Sequence, residues 1–216
     1  MTLDCKIDPR KLSESQLQCG SCNKCRGKSI LDYPFPKNLK NSDDLVREII
    51  KLVTTGTNCH CEYTTIDKNP DINVFDKDNK LICRIEAKYL EGQAFMKSKE
   101  YVGLWPKEAL VVDEPKLDSY VECANKDWNG GTTVPIYIVW KFDRPCEDVG
   151  GITVFQELSV LCTIRQTVGR VRAFERRSVS NDYVSGSKMG ITKKYHYSIR
   201  ECLPIEELIP KINSLI

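Results

Sequence analysis

Histidine is nearly absent from this chain: His60 and His196 are the only two in 216 residues. A histidine-based triad or a His-Asn-His nuclease centre therefore has little to draw on. No apolar run approaches the roughly 20 residues that span a bilayer, so a membrane is not an expected partner. The first eight residues, Met1 to Asp8, hold no apolar signal core, which makes the cytoplasm the expected compartment. Internal repeats and low-complexity tracts are missing as well. What remains, 41% hydrophobic and 29% charged residues, is the balance of a globular protein with one substantial core.

Cysteine, by contrast, is plentiful: there are eleven, an odd number. Without a secretion signal, reduced thiols are the default and a tight cluster reads first as a metal site. Cys19-Gly-Ser-Cys22-Asn-Lys-Cys25 places three thiols within seven residues. One tetrahedral Zn²⁺ needs a fourth ligand, with Cys5 nearest and Cys59, His60 or Cys61 as alternatives. Iron, alone or as a cluster, fits the same spacing. The plainer reading is a set of reduced thiols in a polar leader. Cys83, Cys123, Cys146, Cys162 and Cys202 are scattered and read as core.

The net charge of +2 conceals an asymmetry. Arg165, Arg170, Arg172, Arg176, Arg177, Lys188, Lys193, Lys194 and Arg200 face only Glu175 and Asp182 between 165 and 200, a local +7. Such a segment attracts a polyanion, unless it is simply a solvated surface.

Along the chain, residues 1–35 form a Cys-rich arm and 36–216 the main domain. Tyr33-Pro-Phe-Pro36 reads as an extended linker. Ser42 is placed to cap a helix in which Leu45, Ile49, Leu52 and Val53 recur at helical spacing up to Gly56. Strands are expected near 59–66, 71–76 and 81–89. Residues 105–112 are ambiguous between helix and strand. Pro115 opens a helix bearing Leu117, Tyr120, Val121 and Ala124. The almost wholly apolar 134–140 suits a strand covered on both faces. A β-rich run follows at 152–164, a late strand at 195–199 and a closing helix at 205–215. The order predicts an α/β fold with a mixed central β-sheet flanked by helices.

The most informative stretch runs from Pro70-Asp71 to Glu86-Ala87-Lys88. Asp78-Asn79 is a plausible two-residue hairpin turn, since both residues tolerate positive φ. Counting outward from 77 opposite 80 sets Asp71 opposite Glu86, on one face and about 5 Å apart at Cβ. Alternation supports that register, because Ile72, Val74, Cys83 and Ile85 then share the apolar face. Lys88, two residues beyond Glu86, shares the polar one. Two close carboxylates repel unless a cation sits between them, and Mg²⁺ with its oxygen preference suits such a pair. The bland alternative is a solvated ion cluster on a surface hairpin.

Pro70-Asp71 with Glu86-Ala87-Lys88 resembles the signature of the PD-(D/E)xK nuclease superfamily, and the element order over residues 42–142 is similar to its restriction-endonuclease-like core. That resemblance implies a Mg²⁺-dependent endodeoxyribonuclease in which Asp71 and Glu86 hold the metal, the Ala87 carbonyl adds a ligand and Lys88 assists the attacking water. It also implies an acidic residue on the preceding helix. Glu48 is the match, about 40° from Leu52 on the helical wheel. No glutamine-to-tyrosine exonuclease motif is found, because Lys97 stands four residues after Gln93. The expected protein is most similar to a type II restriction enzyme, a homodimer on double-stranded DNA. Arg165, Arg170, Arg172, Arg176, Arg177, Lys188, Lys193 and Lys194 are its expected DNA contacts. A junction-resolving repair nuclease of the same superfamily is the nearest alternative, and a non-catalytic metal-stabilised DNA-binding module the more distant one.

Overall fold

The computed structural model describes residues 3–19, 35–64, 66, 68–91, 94–177, 183–184, 187–188 and 191–216. In chain order its elements are α1 (Glu14–Leu17), α2 (Phe35–Gly56), β1 (His60–Tyr63), β2 (Ile72–Phe75), β3 (Leu81–Glu91), α3 (Ser98–Val102), β4 (Ala109–Asp113), α4 (Glu114–Asn129), β5 (Ile136–Asp143) and β6 (Thr153–Glu157). Then come α5 (Leu158–Val168), β7 (Ala173–Arg177), β8 (Tyr183–Val184), β9 (Ser187–Lys188), β10 (Ile191–Ser198), β11 (Leu203–Pro204) and α6 (Leu208–Asn213).

Six strands form the main sheet in the order β1-β2-β3-β5-β6-β11. The β3–β5 pair is parallel and all others are antiparallel, so the sheet is mixed as expected. The parallel pair lies at the centre, where β5 is buried on both faces from Ile136 to Phe142. A second sheet, β4-β10-β7, is antiparallel throughout. It docks on the main sheet through Trp140, whose indole N–H donates to the Val111 carbonyl and whose ring lies 6.4 Å from Tyr197.

Alternation along β3 sets the layers. Cys83, Ile85 and Ala87 point to one side, where α2 packs with Leu45, Val46, Ile49 and Val53 buried in the common core. Arg84, Glu86 and Lys88 point to the other, towards α4. Residues 3–19 join the same core: Cys5, Leu12 and Leu17 are buried in it, and the Thr153 amide donates to the Asp4 carbonyl at 2.9 Å.

Three expectations about local structure are corrected. Residues 35–36 begin α2 rather than a linker; a proline in the first helical turn lacks an N–H that would have no partner there anyway. Ser42 accordingly lies inside the helix. The run 152–164 is not all strand: after Glu157 it turns into α5, with Leu158 and Leu161 buried at helical spacing. The hairpin between β2 and β3 has a three-residue loop, not two.

Gly150 and Gly151 return the chain from β5 to β6. A Cβ on Gly150 would lie 2.3 Å from the Cys146 carbonyl oxygen and 2.7 Å from that of Arg144, both rigid backbone atoms. Gly150→Ala is expected to cost about 2 kcal/mol, the scale of overpacking. A urea midpoint unchanged from the parent would contradict that close approach.

Candidate active site

The hairpin builds the site. Asn79 takes φ 65° and Asp76 accepts from the Asp78 and Lys80 amides, both at 2.9 Å, so the chain reverses through 77–79. Phe75 then faces Leu81 and Val74 faces Cys83, which leaves Ile82 as an extra residue on β3. The bulge offsets the longer loop by one residue. Ile72 therefore returns to Ile85, the register that a two-residue turn would also have given. Asp71 is the next residue outward, just before β2.

There the Asp71 carboxylate accepts from the Ala87 amide at 2.9 Å, while its own carbonyl accepts from Thr64 N–H at 2.8 Å. Glu86 is only 5% exposed. Lys88 donates to Glu86 Oε1, and its Nζ also lies 3.4 Å from the Tyr120 hydroxyl. Tyr120, fully buried on α4, donates to Glu86 in turn. Burial and the neighbouring Glu86 charge push the Asp71 carboxyl up to about 6, against the Ala87 hydrogen bond and the charges of Lys88 and Lys116. Burial, then Glu86, pushes the Tyr120 phenol far up, so it stays protonated as a donor.

Asp71, Glu86 and Lys88 are thus brought together by the hairpin, and α4 adds two groups the sequence reading did not assign. By spacing, Tyr120 belongs to the apolar stripe of its helix. Lys116, one turn earlier, carried no signal of its own. Together with Asp127, which pairs with Arg84, these residues lace one face of α4 to one face of β3.

Whether this donor set suits a hard cation can be read from its oxygens. A strand residue sends its N–H and C=O to the same side, so the Ala87 carbonyl faces the gap that the Asp71 carboxylate already enters. The Glu86 charge is felt there as well, as the second-largest cause of the Asp71 rise. Burial first and the Glu86 charge second raise the Asp71 carboxyl, and a cation bound beside it would offset both. Two carboxylates with waters and phosphate is an ordinary set for Mg²⁺. Metal affinity should follow the proton: because the folded Asp71 titrates near 6 rather than 3.8, its ionised form costs stability that grows as pH rises from about 4 to 6. Bound Mg²⁺ removes that cost. Its apparent affinity is expected to fall about tenfold per pH unit below 6 and to be flat above 7. Calorimetric titration checks this, and an Asp71→Asn variant should lose the slope.

Glu48 is not brought to this group. It lines a groove with Asn41, Asp44, Leu45, Arg47 and Tyr89, on the α2 side of β3 and so opposite to Glu86 and Lys88. Asp43 of α2, with Asp71 and Glu86, raises the Tyr63 phenol on β1, after burial.

The cysteine arm gives no comparable grouping. Among the described residues no three His, Cys, Asp or Glu side chains are gathered to hold a metal. Cys22 and Cys25 lie outside the described residues. Cys19 packs against Ala94. The Cys5 thiol donates to the Ile7 carbonyl at 3.0 Å, and burial with the Glu206 charge pushes it up to about 12. Among the alternative ligands, Cys59 is buried in the core, burial pushes Cys61 up to about 11, and His60 stacks on Phe75. A zinc or iron centre therefore has no support among the described residues.

The basic segment is also less free than its composition implied. Arg165 pairs with Asp118, Arg170 with Glu114, Arg172 with Glu201, Lys193 with Glu175 and Lys194 with Asp113. Three of these carboxylates, Asp113, Glu114 and Asp118, come from α4 or its N-terminal edge, distant in sequence and adjacent in space. The side chains of Arg176, Arg177 and Lys188 lie outside the described residues. Among the described residues no helix is long and apolar enough to cross a membrane.

No family model matches the sequence, and no curated protein matches it either. Among solved structures the chain is similar to Hjc of Archaeoglobus fulgidus, a Holliday junction resolvase from an archaeal hyperthermophile, at 12% identity over 79% of this chain and 96% of that one, with a TM-score of 0.41. It is also similar to D212, a nuclease from a fusselovirus, at 14% identity over 85% of this chain and 97% of that one, with a TM-score of 0.47. At such scores neither likeness bears on the chemistry of Asp71 and Glu86.

Proposed function

We propose that this chain is a Mg²⁺-dependent endodeoxyribonuclease of the PD-(D/E)xK class. The observation that carries the reading is the cluster of Asp71, Glu86, the Ala87 backbone and Lys88 at one end of the β2–β3 hairpin, with the Asp71 carboxyl held near 6. Asp71, Glu86 and the Ala87 carbonyl would hold the cation. When bound, Mg²⁺ lowers the pKa of a coordinated water and offsets charge on the phosphate. The rest falls to the chain's own groups. Lys88, a quarter or less exposed, holds the attacking water by hydrogen bonding and sets a positive charge where the pentavalent phosphate becomes more negative. Tyr120 keeps Glu86 and Lys88 in place from below. Lys116, in the field of Asp71, supplies a second cation for the substrate phosphate.

The ion pairs of the basic segment favour recognition of DNA shape over base sequence. Arginines that read guanine edges need both guanidinium donors pointed at the groove. Arg165, Arg170 and Arg172 each hold Nη1 on a carboxylate, which takes one of those two donors. A junction-resolving or other structure-specific nuclease, working as a homodimer to cut two strands, follows better from this than a restriction enzyme does.

Cleavage assays on plasmid and on a four-way junction, with and without Mg²⁺, test both levels. Symmetrical nicks in the junction with plasmid left intact support the proposal. Discrete plasmid fragments would return the restriction reading, and no cleavage of either would end the nuclease one.

A further inference from the structure

A cavity of about 390 Å³ opens on the outer face of the small sheet, away from Glu86 and Lys88, and the proposed chemistry makes no use of it. Ala109 and Val111 of β4, Lys194 and His196 of β10 and Phe174 of β7 share that face by register. Phe95, ahead of α3, and Arg144, just past β5, complete the wall.

Its chemistry is uneven in an informative way. The floor is a nest of π faces: Phe95 lies 5.0 Å from Phe174 and 5.6 Å from His196, and Tyr101 stacks behind Phe95. Burial lowers His196 to about 4, so its ring is neutral at pH 7. Its Nδ1 lies 3.3 Å from the Arg172 carbonyl, which can only accept, so Nδ1 carries the proton and Nε2 is left as an acceptor. The rim carries two cations. Arg144 rests its guanidinium on Phe142, 4.7 Å from the ring centroid. Lys194 is a quarter exposed; it pairs with Asp113 at 2.8 Å, yet an ammonium has three donors and one carboxylate does not use them all.

An aromatic floor, one acceptor and a cationic rim match a planar heterocycle joined to a phosphate. We propose that this cavity is a single-nucleotide subsite, in which an unpaired base stacks on Phe95 and Phe174, offers an N–H to His196 and sets its phosphate against Lys194 and Arg144. That the nucleotide belongs to the substrate strand rests on the nuclease reading. The spacing allows it: Arg144 lies six residues beyond Ile138, the partner of Glu86, hence about 20 Å along β5. A strand cut at Asp71 and Glu86 would reach it within a few unpaired nucleotides, as a fork or flap provides.

The test uses the full chain in EDTA with two probes: forked DNA carrying 2-aminopurine at one unpaired position at a time, and free 2-aminopurine deoxyribonucleoside monophosphate. Emission is expected to change severalfold at one or two adjacent fork positions. Val111→Phe, which fills the cavity from β4, should abolish the change while anisotropy shows fork binding within about twofold of the parent. Phe174→Leu, which removes a stacking face at similar volume, should weaken it. Unchanged emission at every position of a bound fork, or an equal change in the Val111→Phe protein, overturns the subsite. If forks do not bind at all, the nuclease reading fails by itself. Saturable binding of the free nucleotide, lost in Val111→Phe, would then still establish the pocket and assign it to a free nucleotide.

Discussion

Glu86→Gln should abolish Mg²⁺-dependent cleavage, with the single-turnover rate down by at least about 1,000-fold, while the protein stays folded and still binds DNA. The magnitude follows from removing one of two anionic ligands and the charge that orients Lys88, each of a size that preorganised electrostatic groups commonly contribute. Glutamine keeps the shape of a side chain that is 5% exposed and can still accept from Tyr120 and Lys88, so the fold is spared. Loss of one charge should also let the Asp71 carboxyl fall back towards its ordinary value, because Glu86 is the second-largest cause of its rise. Two readouts therefore accompany the rate: Mg²⁺ affinity by calorimetry, expected to drop at least tenfold, and the Asp71 titration by NMR, expected to move down. A variant that cleaves within tenfold of the parent would remove Glu86 from the proposed centre.

Much of that centre was legible in sequence because it depends on local rules. Strand alternation and a turn-compatible Asp78-Asn79 were enough to place Asp71 near Glu86 and Lys88. The turn itself was misjudged by one residue, and the bulge at Ile82 cancelled the error. No composition rule announces such a compensation, since Ile82 is apolar and buried like its neighbours. The mixed sheet was readable for a similar reason, as the apolar run at 136–142 demands cover on both faces. What failed was tertiary. Glu48 satisfied a helical wheel, but the wheel does not say which side of the sheet α2 covers. Tyr120 looked like core and is core; only its hydroxyl, meeting Glu86, gives it a further part. The basic segment kept its composition but not its field, because carboxylates such as Asp113 and Glu114 lie far off in sequence and close in space.

The link most exposed to test is the one between α4 and the hairpin. Arg84, two residues before Glu86 and on the same side, pairs through both guanidinium nitrogens with the Asp127 carboxylate near the end of α4. Their side chains are 12% and 16% exposed, so water screens the pair weakly. Arg84→Met strands Asp127 as a buried charge and should cost about 3–5 kcal/mol, seen as a lowered urea midpoint. The double change Arg84→Met with Asp127→Leu strands nothing and should recover much of that loss. The functional consequence separates this pair from simple packing. Asp127 stands seven residues after Tyr120, two turns along the same face of α4, so loosening the helix there also loosens the hydroxyl against Glu86 and Lys88. In the double variant, stability returns without the fixed angle of α4. Its turnover should then stay roughly tenfold below the parent at saturating DNA, with affinity nearly unchanged. If the single variant lost less than about 1 kcal/mol, the pair would behave like an exposed one and α4 would need another anchor.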